Sequence, residues 1–202
     1  MVISRCAVAI VAVIVAAGCG GGGQSDGRVF GAADATRIAA VRPVAPDWNW
    51  PRVAAKPESS DPSASNSTDP LLVELKKRLT ALSDSGDAAN TWQDDDKVGS
   101  LTVGSFGSTR DAHEAMAAMN EFSLGWGERG GHVTKDENVD DLGDEAWRLW
   151  VDGNGTQVTY HWRRGNLVLE AHIQCFGSCP GDVDAATRTW VDEIDGAAQA
   201  SS

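Results

Sequence analysis

Two alternating runs on either side of Gly165-Asn166 constrain the fold of this chain more than any other feature. Before the turn, Val158, Tyr160 and Trp162 alternate with Thr159, His161 and Arg163; after it, Leu167, Leu169, Ala171 and Ile173 alternate with Val168, Glu170 and His172. A period of two marks strands with one buried face, and Gly-Asn suits a tight reversal. With Arg164 opposite Leu167, Trp162 pairs with Leu169 and Tyr160 with Ala171, so both apolar rows share a face. A slip of one residue would mix the rows, which fixes the register.

The flanking segments extend this hairpin. His132 to Asn138 reads as an edge strand, and Glu145 to Val151 as a strand with Trp147, Leu149 and Val151 alternating. Asp152-Gly153-Asn154-Gly155 is a strong hairpin turn. Thr91 to Phe106 supplies one or two more strands. Three helices complete the pattern. Asp69 caps the first, Pro70 occupies its first turn, and Leu71, Leu72, Leu75, Leu79 and Leu82 make its face. Ser108 caps the second, whose stripe is Ala112, Ala115, Met116, Met119, Phe122 and Trp126, with the glycines from Gly125 to Gly131 as its stop. Asp182 caps the third, from Val183 to about Asp195. The expected class is α+β: a single antiparallel sheet with one face covered by about three helices.

The ends of the chain carry an address. Arg5 precedes an apolar run from Cys6 to Ala17, far shorter than the roughly 20 residues a bilayer-spanning helix needs. Small residues then lead to a cysteine, the mark of a secretory signal. Ala16-Ala17-Gly18-Cys19 resembles the bacterial lipobox, with Ala16 where that family prefers Leu. The resemblance implies removal of residues 1–18 and acylation of Cys19. Residues 19–69 then read as a lipidated, flexible linker rich in Gly, Pro and Ser, with a weakly helical patch at Asp34 to Val41 and two aromatics, Trp48 and Trp50. Those rings either clasp the domain or meet a partner. Residues 70–196 are the domain and 197–202 a disordered tail.

Composition narrows the partners. The formal charge is −12, and loss of Arg5 with the signal makes it −13. Such a surface repels nucleic acid and anionic lipid alike, so membrane attachment must come from the acyl chains.

Leu142-Gly143-Asp144-Glu145-Ala146, the hairpin with Arg163-Arg164-Gly165-Asn166-Leu167 and the terminal helix together resemble secreted lipoproteins and extracytoplasmic sensor-type domains of actinobacteria. The resemblance covers about Leu71 to Asp195 and implies a sheet backed by helices, in places likened to the PsbP-like fold. It carries no catalytic residue across.

Three groups of residues are candidates for chemistry. Cys175 and Cys179 are the two cysteines left outside the signal and lipobox, and in an oxidising compartment such a pair closes a disulfide, worth about 2 kcal/mol by loop entropy. A redox pair is the alternative, since Cys179 lies just before a helix start. His161, Glu170 and His172 share the polar face of the hairpin; two imidazoles and a carboxylate suit an open zinc site, against a solvated face with an ordinary His–Glu contact. The chain's eight tryptophans leave some for a groove, with Trp126, Trp147 and Trp162 as candidate ligand contacts. Asp152 to Thr156 starts like a calcium loop, but Arg163 stands where the EF-hand needs Glu. Serine-nucleophile and phosphate-loop motifs are absent.

The expected function is a non-enzymatic ligand-binding or sensor-type lipoprotein, without cofactor, on the outer face of the bacterial cytoplasmic membrane. Its expected ligand is small and apolar. A protein-interaction or cell-envelope scaffold is the alternative, and a metal-dependent hydrolase at His161, Glu170 and His172 the remote one.

Overall fold

A computed structural model describes residues 29–44, 48–50, 69–82, 84–93, 95–153 and 155–201 of the chain. The expected signal segment, Cys19, residues 51–68, Asp94 and Asn154 lie outside the described residues. The elements are α1 (Ala32–Ala39), α2 (Pro70–Thr80), β1 (Asp84–Gln93), β2 (Lys97–Phe106), α3 (Thr109–Gly130), β3 (Gly131–Asn138), β4 (Glu145–Gly153), β5 (Gly155–Arg164), β6 (Leu167–Cys175) and α4 (Val183–Gln199). The strands form one antiparallel sheet in the order β1-β2-β6-β5-β4-β3. β1 and β2 make a hairpin, β3 to β6 a meander, and α3 carries the chain from β2 to the far edge.

Local chemistry sets the helix starts. The Asp69 carboxylate accepts from the Leu71 and Leu72 N–H groups, Ser108 Oγ from Asp111, and the Asp182 carboxylate from Asp184 and Ala185. Each cap satisfies N–H groups that the first helical turn leaves without partners. The central hairpin has the expected register: Arg164 faces Leu167, Trp162 faces Leu169, Tyr160 faces Ala171 and His161 faces Glu170. Gly165 turns at φ +59°, a region that glycine enters without cost.

Helical cover extends to both faces of the sheet rather than one. On the Tyr160 face, α1 and α4 bury Ile38, Trp190 and Ile194 against Leu101, Val103, Trp162, Leu169 and Ile173. On the opposite face, α3 lays Ala112, Ala115 and Met116 against Trp147, Leu149 and Val168, with α2 resting on α3. β4 explains the second layer: it sends Trp147 and Leu149 to the face opposite Tyr160, and apolar residues there need a cover.

Three boundaries differ from the sequence reading. First, the 19–69 segment is not all linker. Phe30, Ala35, Ile38, Trp48 and Trp50 are buried, and α1 packs along β1 and β2. Trp48 and Trp50 stack with ring centroids 5.8 Å apart and clasp the domain. Proline and serine content obscured a segment most of whose large apolar residues are buried, Val29 and Val44 being the exposed ones among the described residues. Second, α3 runs through Gly125 and Gly127 to Gly130. Gly127 marks a close approach rather than a stop, since a Cβ there would lie 2.8 Å from Val151 Cγ2. Third, α4 continues to Gln199 and buries Ala198, so residues 197–201 are not a disordered tail.

Candidate binding cleft

The C-terminal half of α3 and the sheet beneath it enclose a half-open cleft of about 380 Å³. Phe122 and Trp126 form its helical wall, Leu149 and Val151 its inner corner, and Gln157, Thr159, Glu170, His172 and Gln174 its floor. Gly127 and Gly130 on α3, and Gly153 and Gly155 at the β4–β5 turn, complete the lining, and a Cβ at Gly130 would meet open space.

The floor follows from the register. Gln157 faces Gln174, and Thr159 faces His172. Beyond β6 the same rows continue as Val98 and Ser100 on β2, then as Gln93 and Thr91 on β1. Apart from Val98, the part of this face not covered by α3 is therefore a strip of polar side chains, which needs no further cover.

His161, Glu170 and His172 do gather at this cleft. The face they share is only partly solvated: α3 crosses it at His161, which is fully buried, while Glu170 and His172 stay partly exposed in the cleft. Its Nδ1 lies 2.6 Å from Asn120 Oδ1 and its Nε2 3.1 Å from Glu170 Oε2, with Ser123 Oγ 3.5 Å away. His172 Nδ1 stands 3.6 Å from the other Glu170 oxygen. Burial alone would raise the Glu170 carboxyl, but hydrogen bonds and charge from His161 and His172 more than reverse this and hold it well below its usual range. Both nitrogens of His161 are thus engaged by Asn120 and Glu170. Among the described residues, no group of three or more His, Cys, Asp or Glu is placed to hold a metal ion.

The three candidate tryptophans do not converge. Trp126 stands at the cleft, 54% exposed, its ring stacked on Phe122 with centroids 5.9 Å apart. Trp147 is buried behind it, donating Nε1–H to Asp136 and lying 5.3 Å from the His161 ring. Trp162 belongs to the opposite face, wholly buried, its Nε1 without a hydrogen-bond partner among the described residues. Odd positions on β4 and even positions on β5 point to different faces, which separates them.

Cys175 and Cys179 form a disulfide between the end of β6 and the approach to α4. The Phe176 N–H donates to the Asp96 carbonyl, so the loop it closes is also tied to the β1–β2 turn. The start of the calcium-like loop is used internally: Asp152 accepts from Trp150 Nε1 and Thr156 Oγ1.

Asn120, Phe122, Gln157 and Gln174 were not read as site residues from the sequence. Extending the hairpin register by one pair at its open end would have placed Gln157 and Gln174 beside His172. No sequence signal places Asn120 over His161, because that contact depends on where α3 lies.

The two motifs behind the family resemblance lock together. Asp144 accepts from the Gly165 N–H and from Arg163, Glu145 accepts from Arg163 Nε, and Gly143 at φ +59° lies against the Arg163 carbonyl. They form a latch on the β5–β6 turn, and none of these residues lines the cleft. No protein-family model matches the chain, and no curated protein matches it either.

Proposed function

We propose that this chain is an extracytoplasmic lipoprotein that binds a small ligand in the α3 cleft and does not turn it over. The observation that carries the reading is the mixed lining: the Phe122–Trp126 stack, with Trp126 exposed, on one wall, and the polar side chains of Gln157, Gln174 and His172 on the floor. In a concave site, an exposed indole beside polar groups offers a ligand both apolar contact and hydrogen bonds. The polar floor shifts the expected ligand from purely apolar to amphipathic, since an apolar molecule would desolvate Gln157, Gln174 and His172 without replacing their water contacts.

The anchor rests on the sequence pattern at Ala16 to Cys19. No helix among the described residues is long and apolar enough to cross a membrane. With packing already under way at Phe30, the chain from Cys19 to Val29 reaches at most about 35 Å. An acylated Cys19 would hold the domain close to the bilayer rather than on a long leash. The scaffold alternative loses its aromatic pair, because Trp48 and Trp50 are buried.

Mass spectrometry of the detergent-extracted protein tests the anchor. The expected product begins at Cys19 and carries acyl mass that Cys19→Ala abolishes. A mature chain beginning elsewhere, or unmodified at Cys19, would remove the lipoprotein reading.

A further inference from the structure

Building on the ligand-binding reading, we infer that the cleft takes a neutral saccharide. Among the described residues its lining contains no Lys, Arg or Asp, and its one carboxylate, Glu170, is already engaged by His161 and His172. An anionic ligand would find no lysine or arginine to pair with, and the His172 imidazole already faces Glu170. A cationic ligand would have to compete with two imidazoles for the same oxygens. A hydrocarbon would strand the floor's amides.

A pyranose satisfies all three constraints. Its apolar C–H face can lie on an aromatic ring while its edge hydroxyls both donate and accept. Trp126 supplies the ring, and it is the one exposed tryptophan of the eight. Its stacking on Phe122 holds it upright beside the floor. Gln157, Gln174 and His172 supply planar groups that donate and accept within one side chain, matched to a hydroxyl's dual character. The floor then continues sideways through Ser100 and Thr91, whose hydroxyls lie 3.4 Å apart, offering a track for further sugar units. The cleft volume of about 380 Å³ lies in the range of small-ligand sites.

The site is built to hold a glycan rather than to cut it. Most glycoside hydrolases place two carboxyl groups across the scissile bond, and here Glu170 is the only one lining the cleft among the described residues.

The test uses the full chain in detergent. Saturation-transfer NMR and calorimetry would be run with neutral tetrasaccharides of glucose, N-acetylglucosamine, galactose, mannose and arabinose, and with a fluorescent fatty-acid analogue. The expected result is saturable binding of at least one tetrasaccharide, little changed by salt. Trp126→Ala should weaken it about tenfold and Gln174→Ala severalfold. Both side chains are partly exposed, and circular dichroism would check that each variant folds. Saccharide binding unchanged by Trp126→Ala would overturn the assignment to this cleft. Binding of the fatty-acid analogue with no saccharide bound would overturn the saccharide class and leave the ligand-binding reading standing. Binding of neither would overturn both.

Discussion

Asn166 shows how one turn residue can organise distant parts of the chain. Its Oδ1 accepts from the Phe30 N–H at 2.8 Å, while its Nδ2 donates to the carbonyls of Phe30 and Phe106. The side chain is almost fully buried, so three buried hydrogen bonds would be lost where water cannot readily replace them. Asn166→Ala should destabilise the domain by about 2–4 kcal/mol, read by urea denaturation. A loss below about 0.5 kcal/mol would mean that the Phe30 segment is held elsewhere. Tyr160 gives a second residue-scale prediction. It is the sole tyrosine, so tyrosinate absorbance reports it alone. Burial, with the Asp184 charge adding and Arg148 opposing, pushes its hydroxyl up to about 12. The native protein should therefore titrate near 12 and the denatured chain near 10. Between those values the folded state holds the extra proton, so stability should fall as pH rises through that window. A native midpoint near 10 would contradict the packing of Tyr160 beneath α4.

At the scale of elements, α1 separates what composition shows from what packing requires. Its segment reads as linker because prolines and small residues dominate the surrounding stretch. Yet Ile38 is fully buried among residues of β1, β2 and α4, and the Trp190 indole donates to the Val41 carbonyl just past the helix. A linker isoleucine could be changed with an effect within about 0.5 kcal/mol. As a core residue, Ile38→Ala should cost about 2–5 kcal/mol, measurable by thermal or urea unfolding. A neutral result would return α1 to the linker. The β5–β6 hairpin is the opposite case. Its register was legible because strict alternation has only one pairing that keeps the apolar rows together. What the same alternation hid was the second helical layer. His161, Glu170 and His172 look like a solvated row to any hydropathy reading, and only the fit of Asn120 and Glu170 to both imidazole nitrogens lets α3 cover His161.

For the whole molecule, the sheet class, helix caps and central pairing follow from the sequence, because each depends on neighbours within a few residues or one hairpin. The placement of α1 and α3 depends on long-range fit, and so does the cleft. Of the three candidate tryptophans only Trp126 reaches it, because strand parity sends Trp147 into the core behind the cleft and Trp162 to the other face. The candidate polar trio was legible as a group; the burial of His161 and its engagement with Asn120 were not. What emerges is a domain with one well-packed face under α1 and α4. Its other face is only partly covered by α3, leaving an aromatic rim over a polar strip.

The central claim is that this partly covered face binds a ligand, and a cleft-blocking variant tests it most directly. Gly130 lines the mouth, and a Cβ there meets nothing within 4 Å, so Gly130→Trp should fill the opening without disturbing the fold. Isotope-labelled protein would be titrated with a soluble digest of the cell envelope and followed by NMR. The account predicts shifts at the Trp126 indole and at the side-chain amides of Gln157 and Gln174 in the natural chain, absent in Gly130→Trp. Shifts confined to the β3 edge or the acidic surface, or equal in both proteins, would contradict it.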